Sequence, residues 1–159
     1  VNGGDERRLM TAYFAAGRPM AGIDYLTAMR DRRLPLPPVA GLLGFDLTEV
    51  GAGRVVFTCA PDPSMYNAIG VVHGGIVCAL LDAAASFALL SVLPRGKSLT
   101  SVEIKVNFLR AIDPDGGILS AEGAVVKAGS RIGFTTGTVT DRRAVPVATA
   151  SSTLLVFDG

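Results

Sequence analysis

The stretch GGIVCALLDAAASFALLSVL, residues 74–93, decides how this chain folds. From Ile76 to Leu93 it carries one charged residue, Asp82. It reaches the roughly 18 apolar residues at which a membrane-spanning helix comes into question. A mid-helix Asp costs about 2.5–3.5 kcal/mol on insertion into a bilayer. The stretch is also rich in alanine, and the segments after it alternate as soluble strands do. The reading is therefore a long helix from Gly74 to Leu93, closed by Pro94-Arg95-Gly96 and apolar on most faces because it is buried in a core. No membrane span is expected.

Downstream of this helix the pattern is all β. Leu99–Arg110 alternates strictly, with Val102, Ile104, Val106 and Phe108 on one face and Ser101, Glu103, Lys105 and Asn107 on the other. Residues 117–127, 132–140 and 145–156 read as three more strands. Asp113-Pro-Asp-Gly-Gly, Ala128-Gly-Ser and Asp141-Arg-Arg are the turns between them. Upstream, Phe45–Val50 and Arg54–Ala60 read as a hairpin around Gly51-Ala52-Gly53. That GxG has no third glycine and starts no helix, so a dinucleotide loop is disfavoured. With no helix among the last four strands, a parallel sheet is excluded. An α+β architecture is predicted: a curved antiparallel sheet wrapped round the central helix. One sheet covers only part of an all-apolar helix, and a second subunit is the expected cover for the rest.

Before this unit, Ile23–Arg33 reads as a short helix, and Pro35, Pro37 and Pro38 impose an extended connector. The expected organisation is a helical extension with its proline-rich connector over residues 1–37, then the main domain over residues 38–159. The polar start, Val1–Arg8, shows no signal peptide.

Composition narrows the function. Of 159 residues, 49% are hydrophobic and 18% charged, with a net charge of +1. That argues against disorder and against nucleic acid, whose binders carry a basic excess. Cys59 and Cys78 lack CxxC spacing and sit in apolar runs, which fits buried thiols in a reducing cytoplasm. With a single histidine, a His/Cys metal site is not expected, and neither is a cofactor.

Asn67-Ala-Ile-Gly-Val-Val-His73-Gly74-Gly75, followed by Asp82, resembles the hotdog-fold acyl-CoA thioesterases, in particular their phenylacetate-pathway branch with its N-x-x-G-x-x-H-G-G-x6-D pattern. Gly44-Phe45, the strand Ser101–Arg110 and the segment Val126–Arg131 agree with that resemblance, which spans Pro38 to Val156. It implies a hotdog fold and hydrolysis of an acyl- or aryl-CoA thioester. The implied roles are Asp82 as nucleophile or as general base on water, the Gly74 N–H as oxyanion donor and Asn67 near the thioester. Ser101 is implied as the residue that holds the water or the carboxylate, with Thr100 as its alternative in register. Gly75 lies in the substrate-contacting turn, and Lys127, Gly129, Ser130 and Arg131 lie along the CoA channel. Arg110, Arg95 and Lys97 are weaker candidates for the CoA phosphates, and Tyr66 and Phe87 for the acyl pocket.

The physical chemistry supports these assignments separately. Gly74 and Gly75 open a helix, where free N–H groups and the helix dipole favour a developing negative charge. Glycine also lets a substrate approach the backbone closely. His73 is expected to fix the loop. Gly74 and Asp82 are eight residues apart, which on a helix means about 12 Å along the axis and roughly 80° in azimuth. Reacting groups must come within about 3–3.5 Å. A joint site thus needs Gly74 of one chain and Asp82 of another, in a homodimer at least; the resemblance adds a homotetramer. Two other functions remain open: a non-catalytic acyl-CoA binding or sensing module, and an enoyl-thioester hydratase or dehydratase. The second is disfavoured because the sole histidine sits in the Gly-Gly turn.

Overall fold

The computed structural model describes residue 15, residues 19–113 and residues 117–159. The polar start Val1–Arg8 and residues 114–116 of the expected turn lie outside the described residues. Helix α1 is Gly22–Arg30. It stops three residues before the expected Arg33, where Arg32 takes a left-handed φ of 61°. Its Leu26 and Met29 are fully buried and join the main core with Phe45, Leu47 and Phe57. Gly22 seats this helix: its N–H donates to Leu93 O at 3.0 Å, and a Cβ there would stand 1.7 Å from Leu90 O. Helix α2 is Pro38–Leu42. Here the structure departs from the extended connector expected through Pro38. Proline at the first helical position loses an N–H that has no partner in the helix anyway.

Strands β1 (Phe45–Gly51) and β2 (Arg54–Cys59) form the expected hairpin. The N–H of Gly53 in its turn donates to Ser91 Oγ at 2.8 Å, tying the hairpin to the end of the central helix. That helix, α3, is Gly74–Leu90, three residues shorter than predicted. No helix of the described residues is long and apolar enough to cross a membrane. The remaining strands are β3 (Lys97–Phe108), β4 (Leu119–Ala128), β5 (Ile132–Thr140) and β6 (Pro146–Asp158). All six make one antiparallel sheet in the order β1-β2-β4-β5-β6-β3.

The sheet wraps α3, as the apolar helix required. Val77, Leu80, Leu81, Ala84, Ala85, Ala88 and Leu89 form the buried stripe. Their spacing of three and four residues marks one helix face. Alanines on the helix and glycines below it bring the two layers close: a Cβ on Gly123 of β4 would lie 2.1 Å from Ala84 O. This is the hotdog fold that the sequence pattern implied.

The most consequential departure is in β3. Its pairing with β6 slips between Ser101 and Glu103, a bulge at Val102. A bulge adds one residue and so reverses the in–out phase beyond it. Val102 is 61% exposed, while Ile104 and Val106 pack on the core. Ser101 therefore points to the same side as Ile104, not the opposite side as strict alternation predicted. Among the described residues β3 pairs on one side only, which leaves an edge twelve residues long open there.

Candidate active site

The loop before α3 is built by its own polar groups. Asn67 Oδ1 accepts the N–H groups of Ile69 (3.0 Å) and Val71 (3.3 Å). These Asx-type bonds shape the turn, and the two Nδ2 protons have no partner among the described residues. His73 N–H donates to Met65 O at 2.8 Å, and Val72 N–H to Ile112 O at 3.1 Å, which anchors the loop end. His73 is the N-cap of α3: its Nδ1 accepts the Gly75 N–H at 2.9 Å. An accepting Nδ1 leaves the ring proton on Nε2. The ring is thereby engaged in ordering the turn.

With Gly75 N–H occupied by that cap, Gly74 N–H has no acceptor among the described residues and lies at the positive end of a 17-residue helix. The ring of Phe108, from the end of β3, stands beside Gly74: a Cβ there would lie 3.0 Å from Phe108 Cζ. Phe108 is 56% exposed, so it forms a wall of the opening rather than core.

Two turns along α3, Asp82 is half-buried. Its Oδ1 accepts the hydroxyl of Ser101 at 2.6 Å, a short charge-assisted bond, and its Oδ2 has no partner among the described residues. The bulge at Val102 is what turns Ser101 toward the helix. Thr100 is exposed on the outer face of the sheet, away from Asp82. A residue that the sequence reading did not single out completes this group: Ser86 Oγ lies 3.2 Å from Ser101 Oγ. Ser86 is four residues after Asp82, on the same helix face. That spacing was the available signal.

Lys127, Ser130 and Arg131 are exposed around the β4–β5 hairpin. Gly129 is required in that turn, since a Cβ would meet Ile132 O at 2.4 Å. This hairpin lies at the C-terminal end of α3, because Gly133 just beyond it packs on Leu89. Leu89 is fifteen positions after Gly74, roughly 22 Å along the axis. Within one chain the structure therefore brings Asp82 and Ser101 together, but sets Gly74 and the Lys127–Arg131 cations at opposite ends of the helix. Of the weaker phosphate candidates, Lys97 pairs with Asp158 at 2.7 Å and Arg110 with Asp141 at 3.2 Å. Arg110 lines an open cleft of about 320 Å³ with Asp141, Arg142 and Arg143. Arg95 is exposed beyond the end of α3. Tyr66 is half-buried and bridges to Val72. Phe87 is engaged edge-on with Phe57, ring centroids 5.1 Å apart.

Burial pushes the Cys59 thiol up to about 11, with a smaller push from Asp62, and raises Cys78 as well. Both stay as neutral thiols, unsuited to nucleophilic attack at neutral pH. Among the described residues no group of three His, Cys, Asp or Glu side chains is placed to hold a metal ion.

A hotdog sheet with a Gly-Gly helix start and a carboxylate on the enclosed helix defines a class, and comparison with known proteins gives the same class. Residues 69–147 match the model of the thioesterase superfamily. A Halobacterium salinarum protein named as an esterase is 38% identical over 66 residues, 40% of this chain and 42% of that protein. The chain spans about half the length of the curated relatives it matches. Among solved structures, a thioesterase family protein from Silicibacter pomeroyi superposes with a TM-score of 0.75 at 28% identity, over 84% of this chain and 99% of that one. A phenylacetic acid degradation-related thioesterase from Ralstonia eutropha has a TM-score of 0.75 at 26% identity, over 82% and 98%. A Streptococcus mutans protein solved with acetyl-CoA has a TM-score of 0.65 at 25% identity, over 72% and 89%. The chain belongs to the thioesterase superfamily, and its fold is similar to that of the phenylacetic acid degradation-related protein.

Proposed function

We propose that this chain hydrolyses acyl- or aryl-CoA thioesters, with Asp82 as the carboxylate that delivers the attacking oxygen. The observation that carries this reading is the Asp82–Ser101 pair: a half-buried carboxylate with one oxygen held at 2.6 Å and the other without a partner among the described residues. Placing a charge on an apolar helix is costly, and a module that only bound acyl-CoA would have no use for it. The acetyl-CoA held by the Streptococcus mutans relative supports CoA thioesters as the substrate class.

The reaction follows from the parts. The Gly74 N–H donates to the thioester oxygen as negative charge develops on it. Asp82 either takes a proton from the water that attacks the carbonyl carbon, with CoA leaving as its thiolate, or attacks that carbon itself and expels the thiolate, after which water hydrolyses the acyl–Asp82 anhydride to the free acid and restores the carboxylate. The ~12 Å helical offset between Gly74 and Asp82 means that they serve one carbonyl only across two chains. The open β3 edge supports that assembly: two such edges paired about a two-fold axis give a continuous sheet and remove an exposed strand edge. The same pairing would bring one chain's Lys127–Arg131 hairpin toward its partner's site, where those cations meet the CoA phosphates. Further pairing of dimers would make a tetramer, and two free thiols, Cys59 buried and Cys78 only half-buried rather than buried as expected, fit a cytoplasmic setting.

The test is release of CoA thiol from a panel of aryl-, short- and medium-chain acyl-CoAs. Asp82→Ala is expected to lower the rate by about 10²–10⁴-fold, the span of an acid–base contribution. Equal rates in the wild type and the variant would sink the role of Asp82. Retained acyl-CoA binding with no release from any thioester would favour the sensing module instead.

A further inference from the structure

We infer that Ser152, on β6, is a positioning residue for the hydrolytic site: its hydroxyl holds the β3 bulge that turns Ser101 toward Asp82. The inference rests on the reading of Asp82 as the catalytic carboxylate. Ser152 is 3% exposed, and a buried hydroxyl is costly unless it is bonded. Its hydroxyl donates to Glu103 O at 2.8 Å. Glu103 is the first β3 residue to pair after the slip: Ser101 pairs with Leu154, Glu103 with Thr153 and Ile104 with Ser152. The Ser152 side chain thus reaches past its own pairing partner to the carbonyl at the end of the bulge.

That bond matters because β3 serves two demands of opposite phase. Ile104 and Val106 pack on the core, while Glu103 and Lys105 are exposed. Asp82 needs Ser101 on the same side as Ile104, three positions away. Residues three apart on a regular strand face opposite sides, so strict alternation cannot supply both. Without the extra residue, keeping Ser101 inward would bury Glu103 and Lys105, which costs far more than turning a serine outward. A straightened β3 would therefore give up the Ser101–Asp82 bond. Thr135, which pairs with Ser152 from β5, is also buried, and its Oγ1 has no partner among the described residues. Of these two neighbouring hydroxyls under α3, the bonded one is the one that grips the bulge.

Ser152→Ala is expected to lower kcat about 2- to 10-fold, the worth of one neutral hydrogen bond, with KM unchanged. Valine and threonine are alike in shape and differ in the hydroxyl, so they separate the bond from the bulk. Ser152→Thr should keep a higher kcat than Ser152→Val, whatever strain the added methyl brings to both. The decisive measurement is the double variant. If Ser152 acts through Ser101, Ser152→Ala adds nothing to Ser101→Ala. Losses that multiply, equal rates for Ser152→Thr and Ser152→Val, or a wild-type kcat for Ser152→Ala overturn the inference. Thr135→Val, which removes the unbonded hydroxyl beside Ser152, should leave kcat unchanged. A loss there as large as that of Ser152→Ala would mean that the site responds to any change beneath α3, and would overturn it too. Should Ser152→Ala fail to fold, the threonine and valine variants carry the same test: their rates should differ when Ser101 is present and agree in the Ser101→Ala background. An Asp82→Ala enzyme that keeps its rate removes the underlying reading and this inference with it. An inactive Asp82→Ala beside an unaffected Ser152→Ala removes only the role of Ser152.

Discussion

Gly74 shows how narrowly a single residue can be tested. It is the first residue of α3, and the residue before it, His73, already has φ −64° and ψ 130°. That is the extended conformation a residue takes before proline. Proline is also well accepted at the first position of a helix. Gly74→Pro should therefore delete the proposed oxyanion donor while keeping α3, with the half-exposed Phe108 ring moving aside. Loss of one such donor costs about 10²–10³ in kcat. The expected outcome is that loss, with circular dichroism and melting temperature near those of the wild type. An active Gly74→Pro would transfer the oxyanion role to another donor, with the Nδ2 of Asn67, unpartnered among the described residues, the first to examine.

Among the elements, the β5–β6 hairpin has a built-in acid sensitivity. Asp141 is 8% exposed. Its oxygens accept the N–H groups of Val145 and Arg143 and the guanidinium groups of Arg110 and Arg143. The Val145 N–H leads in holding its carboxyl below the usual carboxylate range, joined by the Arg143 contacts and against the opposing effect of burial. A carboxylate depressed in the folded state contributes stability above its unfolded value, near ~4, and loses it as pH falls through the folded value. The melting temperature of the wild type should exceed that of Asp141→Asn at pH 7, and the gap should close below about pH 4. A gap independent of pH would mean that shape, not charge, holds the turn. The bulge in β3 is the other element-scale device. Alternation over residues 101–108 was legible in the residue types, but one inserted residue at Val102 reverses its phase. Nothing in Ser101-Val102-Glu103 marks the slip, because a bulge is set by the pairing partner β6 rather than by the strand's own side chains.

At the scale of the whole molecule, one helix cannot bring both ends of the chemistry to one carbonyl. Mixing Gly74→Pro with Asp82→Ala, each inactive alone, and refolding the two together should restore activity. Random pairing makes half the dimers mixed, and each mixed dimer carries one intact site of two, so recovery should approach about a quarter of the wild-type rate. No recovery from correctly sized mixed dimers would place both residues in separate roles. Sedimentation of the wild type should show a dimer or a multiple of it, and a fully active monomer would refute the shared site.

The residues by themselves determined the order of the strands and the central helix, the burial of α3 and the positions of Gly74 and Asp82. Periodicity, turn residues and the isolated charge in an apolar run are local properties. They also determined that Gly74 and Asp82 are too far apart for one site, since helical rise is fixed whatever the fold. Only the tertiary structure decided that Ser101 rather than Thr100 reaches Asp82, because a bulge in the pairing of β3 with β6 sets which way each side chain faces. It alone decided that Ser86 joins them, that Pro38 starts a helix, and that Lys127–Arg131 stand at the far end of α3 from Gly74. These facts depend on which strands lie side by side, a long-range choice made by packing rather than by any one segment.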